Sequence, residues 1–141
     1  MRIFLFILRI LAAGILLQTL FFKFTAAPES VYIFSTLHAD PWGRWFSGVV
    51  ELVSAVLLLI PMTQALGALI GLGVMAGALL SHIFILGLVV QDDGGLLFAL
   101  ALVVFASCLF ILVMQRQQLQ RLLGHLRTSL RAQAKVERKG S

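Results

Sequence analysis

Polar positions are sparse and unevenly spaced along this chain, and they divide it into four apolar runs at residues 3–23, 43–60, 65–90 and 95–113. Each approaches or exceeds the ~20 apolar residues that a helix needs to cross a bilayer core. Apolar runs of this length predict spanning helices rather than core strands. The pattern predicts an all-α protein, an integral membrane four-helix bundle over residues 1–114. Residues 115–141 form a separate polar, basic tail.

The connections carry their own signals. Between the first two runs, Pro28 suits the first turn of a helix and Glu29 suits its positive end. Val31, Ile33, Phe34 and Leu37 give that helix an apolar side. It is too short to span, so a short interfacial helix is expected between spans 1 and 2. Tyr32, Trp42 and Trp45 mark a headgroup level beside it. Pro61 closes the second run. In the third, Gly67 with Gly71 and Gly73 with Gly77 are each four residues apart, with Ala68, Ala76 and Ala78 close by, which predicts a close-packed helix seam. Gln91-Asp92-Asp93-Gly94-Gly95 reads as a turn that places aspartates at the start of the next helix. The fourth run is apolar apart from Ser107.

Beyond the fourth run, Leu119, Leu122, Leu123, Leu126 and Leu130 recur at helical spacing, flanked by Arg116, Arg127 and Arg131. Arg121 lies on the opposite face. The expectation is a C-terminal basic amphipathic helix lying on the membrane or on a partner helix, with residues 135–141 disordered.

Composition supports this reading and changes one part of it. Of 141 residues, 60% are hydrophobic and 12% charged, with a mean hydropathy of +1.03, too few charges to coat a soluble domain. A net charge of +5 and a pI near 10.4 raise nucleic acid as a partner. Placement argues against it: seven of the eleven Lys and Arg residues lie from Arg116 onward, beside the last span. Basic residues there favour anionic lipid and fix orientation, so the expected partner is the bilayer. Four spans put both termini on one side, and the positive-inside rule makes that side cytoplasmic. The first run competes with a cleaved signal peptide ending at Thr25-Ala26-Ala27, but it is longer than the ~7–15 residues of a signal core and Lys23 interrupts the approach. Cys108 is alone, which excludes an internal disulfide and a cysteine metal cage.

The candidate chemistry lies in the half of the bundle away from the termini. Glu51 and His82 fall at matching depth inside their runs, with Lys23 and Gln18 near the end of the first run. Arg44, Asp92 and Asp93 form an expected rim. A carboxylate near mid-bilayer costs roughly 2.5–3.5 kcal/mol on insertion scales, so Glu51 should face protein or water. Its plainest role is a structural ion pair with Lys23 or Arg44. Together with His82 it could instead exchange a proton or bind one polar ligand head. His38 is the only further imidazole near these groups, and no metal site is expected from so few ligands. Arg9 stands apart in the other half. No nucleotide loop, hydrolase triad or haem-attachment motif occurs.

With those residues in view, the chain resembles the DoxX family of small four-helix membrane proteins over about residues 8–113. The resemblance rests on Phe21-Phe22-Lys23-Phe24, on Gly48-Val49-Val50-Glu51-Leu52 followed by an apolar run and Pro61, and on Met75-Ala76-Gly77-Ala78-Leu79-Leu80-Ser81-His82. Gln91-Asp92-Asp93-Gly94-Gly95 adds to it. Some members of that family resemble the small membrane subunit of a thiosulfate:quinone oxidoreductase, and others are linked to membrane redox complexes or stress responses. The resemblance implies a bacterial inner-membrane protein and an accessory subunit of a redox system, with quinone as the candidate ligand and a redox-complex partner or a homo-oligomer as the assembly. The chain offers no redox centre of its own for unaided electron transfer. The basic tail departs from the family pattern. It suggests the alternative of a non-catalytic adaptor or assembly factor that recruits a partner through residues 115–141.

Overall fold

The computed structural model describes residues 1–140. They form six α-helices: α1 Arg2–Phe24, α2 Pro28–Thr36, α3 Trp42–Leu59, α4 Gln64–Ser81, α5 Leu96–Met114 and α6 Arg116–Gly140. A π-helical turn, His82–Leu86, extends α4. Four helices, counting α4 with its π turn as one, are long and apolar enough to cross a membrane. The chain is an all-α, multi-pass membrane bundle, as its pattern predicts.

The bundle runs up and down. α1 packs on α3 and α5, and α4 packs on the same two, so α1 and α4 are diagonal to each other. The N-terminus and the start of α6 lie at one end of the bundle, and α2 lies at the other. Side chains at helical spacing make the inner faces. On α3 the buried positions include Arg44, Gly48, Glu51, Ala55 and Leu58, alternating four and three residues apart. Glu51 lies on that stripe, so the periodicity that turns the helix inward also buries the carboxylate. On α4, Gln64, Ala68, Gly71, Met75 and Leu79 form the stripe, and it leads to the buried His82. Outward positions such as Phe6, Phe46 and Phe84 are large, apolar and exposed, the surface that lipid solvates. Tyr32, Trp42 and Trp45 are exposed near the α2 end.

Lipid tails are as apolar as leucine, so close packing and internal hydrogen bonds hold such helices together. At α3–α4 the expected seam is half present. A Cβ on Gly67 would lie 2.6 Å from the Leu58 nitrogen, and one on Gly71 2.8 Å from Ser54 Oγ. Ser54 donates to the Gly67 carbonyl at 2.8 Å. Gly73 and Gly77 do not join this seam: a Cβ on either meets nothing within 4 Å. They lie on another side of α4, exposed and lining a cavity.

Three further features hold the termini end. Arg9 donates from Nε to the Leu58 carbonyl at 2.7 Å and from Nη2 to the Leu59 carbonyl at 2.6 Å. Both acceptors are orphan carbonyls of the last turn of α3, so the intramembrane guanidinium caps a helix. Leu16, Leu58, Val104, Cys108 and Ile111 fill the core, all with almost no exposure. Gln118, in the first turns of α6, accepts from Ala65 N at 3.0 Å and donates to the Pro61 carbonyl at 2.7 Å, tying the tail to the α3–α4 turn.

Two sequence boundaries move. The third spanning segment ends at Leu86 rather than at 90, because Gly87 takes φ +81° and ψ 170°, backbone that residues with a side chain rarely adopt. Residues 87–90 stay apolar but are not helical, and Val90 tucks inward with 1% exposure. The tail also departs from expectation: α6 continues to Gly140, so residues 135–140 are helical rather than disordered. Nothing helix-breaking precedes Gly140 there, and Arg138 and Lys139 suit the negative end of the helix. Residue 141 lies outside the described residues. Leu119 and Leu122 are half-buried against the bundle, while Leu123, Leu126 and Leu130 are exposed.

Candidate functional site

A cavity of about 550 Å³ opens between the four long helices at the α2 end, with α2 forming one wall. Its size is that of a drug-sized ligand pocket. Ile15 and Leu16 of α1, Gly73 and Met75 of α4, and Leu100 and Ala101 of α5 give it an apolar interior. The bare backbone at Gly73 and Gly77 helps to make the space.

Glu51 lines this cavity with 1% exposure. Each of its oxygens has a partner from α1. Lys23 Nζ pairs with Oε1, and Thr19 Oγ1 lies 3.1 Å from Oε2. A buried carboxylate needs both a counter-charge and hydrogen bonds, and here α1 supplies the two one turn apart. The Lys23 ammonium also lies 5.8 Å from the centre of the Phe34 ring of α2. Thr19 Oγ1 is 2.9 Å from the Leu16 carbonyl as well. A hydroxyl has one hydrogen, so Thr19 donates either to the carboxylate or to that carbonyl. In the second arrangement its oxygen is free to accept from a protonated Glu51. The site therefore has a hydrogen-bond pattern for either state of the acid.

His82, 5% exposed, lines the same cavity from the end of α4. The π turn fixes it twice to one residue: Gly87 N donates to the His82 carbonyl at 2.8 Å, and His82 Nδ1 lies 2.9 Å from the Gly87 carbonyl. A carbonyl only accepts, so Nδ1 carries the hydrogen and the neutral ring keeps Nε2 as an acceptor. The ring packs edge-on against Phe98, centroids 5.8 Å apart. Glu51 and His82 are not hydrogen-bonded to one another; the cavity is what they share.

Of the expected rim residues, only Asp93 reaches the cavity. Its Oδ1 accepts from Val90 N at 3.0 Å and Gly95 N at 2.8 Å, and its Oδ2 from Leu97 N at 3.1 Å. It thus caps α5 and staples the turn before it. Burial pushes its carboxyl up, but the Leu97, Val90 and Gly95 amides and the nearby His82 outweigh this and hold it below the ordinary range. Asp92 is exposed and lies off the cavity. Arg44 is buried but braces the scaffold: it bonds Asp40 Oδ1 at 2.6 Å through Nε and the Lys23 carbonyl through Nη1. It caps α1 and leaves Glu51 to Lys23. Gln18 lines the cavity but is exposed, and Thr19, its neighbour, is the α1 residue on the carboxylate.

Hydropathy and charge do not single out Thr19, nor Ser30 and Ser47. The last two line the cavity, and their hydroxyls are sealed from solvent with no hydrogen-bond partner among the described residues. Buried hydroxyls without partners are rare enough to require an explanation. Among the described residues no three His, Cys, Asp or Glu side chains group as a metal site.

Fold and site together define a multi-pass helical bundle with a buried ion pair and an imidazole on one cavity. No family model, curated protein or solved structure matches the chain.

Proposed function

We propose that this protein is a membrane-embedded accessory subunit of a quinone-linked redox system. It binds an amphiphilic ligand in the cavity at the α2 end, and Glu51 or His82 handles the ligand's proton. The observation that carries the reading is the meeting of Glu51 from α3, Lys23 from α1 and His82 from the π turn on one largely apolar cavity. The hydroxyl of Thr19, able to serve either form of Glu51, supports proton handling. The motifs around Lys23, Glu51, His82 and Asp93, which resemble the DoxX family, supply the redox context. The resemblance makes the host the bacterial cytoplasmic membrane, and the positive-inside rule puts both termini in the cytoplasm with the α2 end outward.

A decyl-chain benzoquinol, the reduced form that carries the protons, titrated into the protein in phosphatidylcholine nanodiscs tests this. Saturable binding to the wild type that weakens in both Glu51→Gln and His82→Ala is expected, with all three proteins folded by circular dichroism. Equal binding by all three would remove the reading.

An adaptor role is the second reading. It is favoured by the exposed Leu123, Leu126 and Leu130 on the basic helix α6. Removing residues 116–141 separates the two: quinol binding survives if the cavity is the functional part, and the cellular role is lost if the tail is.

A further inference from the structure

The charges around the cavity are already satisfied, and this restricts what can enter it. Five ionisable side chains line it: Lys23, Glu29, Glu51, His82 and Asp93. Lys23 and Glu51 neutralise each other. Asp93 already accepts from three backbone amides. Glu29 is exposed in the first turn of α2, where the helix end favours it. With His82 neutral, an anionic head would find no free cation, and a cationic head no free buried carboxylate. Either would lose its hydration without recovering it.

The neutral hydrogen-bonding capacity is not satisfied. Nδ1 of His82 is committed to Gly87, while Nε2 has no partner among the described residues. In the tautomer that Gly87 imposes, Nε2 accepts. Ser30 on α2 and Ser47 on α3 also line the cavity, but their hydroxyl oxygens are sealed, which leaves the imidazole nitrogen to meet a ligand head. An uncharged hydroxyl gives that nitrogen a hydrogen and brings no charge into the apolar cavity.

We infer that the cavity takes an uncharged amphiphile whose head carries an O–H, a phenol or alcohol on an apolar tail, with the hydroxyl donating to His82 Nε2. This rests on the cavity being a ligand site, as proposed above, and fixes the chemistry of the head. The tail lies along Gly73, Gly77, Leu100 and Ala101, where the wall is apolar and space is free.

Four probes sharing one octylphenyl tail separate the possibilities: 4-octylphenol, 4-octylanisole, 4-octylbenzoate and 4-octylbenzylamine. Each is titrated into the wild type, His82→Phe and Gly77→Leu in phosphatidylcholine nanodiscs, with binding read by thermal shift. The phenol should bind the wild type roughly three- to tenfold more tightly than the anisole, the ratio one neutral hydrogen bond supplies. The two charged probes should bind roughly tenfold or more weakly than the phenol. His82→Phe should bring phenol and anisole to the same affinity while both still bind. Gly77→Leu, which fills free space rather than a packed seam, should abolish binding of all four. Equal affinity of phenol and anisole for the wild type, or preference for a charged probe, would overturn the head assignment and leave the cavity as a ligand site. Binding of all four unchanged by Gly77→Leu, or no binding at all, would overturn both.

Discussion

Thr19 Oγ1 stands 3.1 Å from Glu51 Oε2 and 2.9 Å from the carbonyl of Leu16, so one hydroxyl joins the buried acid of α3 to the backbone of α1. Lys23 holds the other carboxylate oxygen. The acid is thus gripped by side chains one helical turn apart, and its environment belongs to α1 as much as to its own helix.

Thr19→Val keeps the shape of the side chain and removes only the hydroxyl. It should cost about 1–3 kcal/mol of stability, the range for loss of a hydrogen bond to a buried charged group. Gln18→Ala, at an exposed neighbouring position, should stay within about 0.5 kcal/mol of wild type. Denaturant titration of the two variants in detergent checks the contrast. Equal costs would mean that the hydroxyl does not support Glu51.

The Lys23–Glu51 pair should behave as a unit. Lys23→Met leaves a carboxylate of 1% exposure without its counter-charge, an error worth about 3–5 kcal/mol. The double variant Lys23→Met with Glu51→Leu removes both charges and should lose much less than the sum of the single changes. Additive losses in a double-mutant cycle would contradict a direct pair.

Four glycines of α4 divide into two kinds. A methyl on Gly67 or Gly71 would run into Leu58 or Ser54, whereas one on Gly73 or Gly77 enters open space. Gly67→Ala and Gly71→Ala should therefore destabilise by about 1–3 kcal/mol through overpacking. Gly73→Ala and Gly77→Ala should be neutral or stabilising by up to about 1 kcal/mol, since alanine favours the helix. Midpoints of thermal unfolding for the four variants decide it, and a uniform cost would contradict the division.

Asp93 gives a pH signature. Its ordinary value is 3.8, and the three amides it caps hold it lower in the folded chain. A carboxyl with a depressed folded value contributes stability that is complete above the unfolded value and is lost as pH falls through the folded one. Asp93→Ala should cost about 0.5–2 kcal/mol near neutral pH, the worth of a helix cap. The gap from wild type should close as pH drops below 3.8. A gap that widened on acidification would reverse the assignment.

The sequence was most informative where one physical rule acted alone. Apolar length marked the spans, and the alternation of four and three residues along α3 put Glu51 on the inner face. It was least informative where two sites share a local pattern. Gly67 with Gly71 and Gly73 with Gly77 have the same spacing, yet only the first pair meets a neighbour, because two residues of helical rotation turn the second pair to another side of α4. Gln18 and Thr19 are adjacent, and one residue of helical rotation decides which reaches the carboxylate. Residues 83–90 are apolar like any helix continuation, so hydropathy alone hides the π turn that aims His82. Arg44, sequestered by Asp40 and the end of α1, is invisible to a count of charges by depth.

The most direct measurement is native mass spectrometry of the protein released from its own membranes, wild type beside Gly77→Leu. The wild type should carry a small, uncharged, non-phospholipid adduct of defined mass, and Gly77→Leu, equally folded, should lack it. Identical spectra, with no adduct in the wild type or the same adduct in both, would contradict a ligand site between Glu51 and His82.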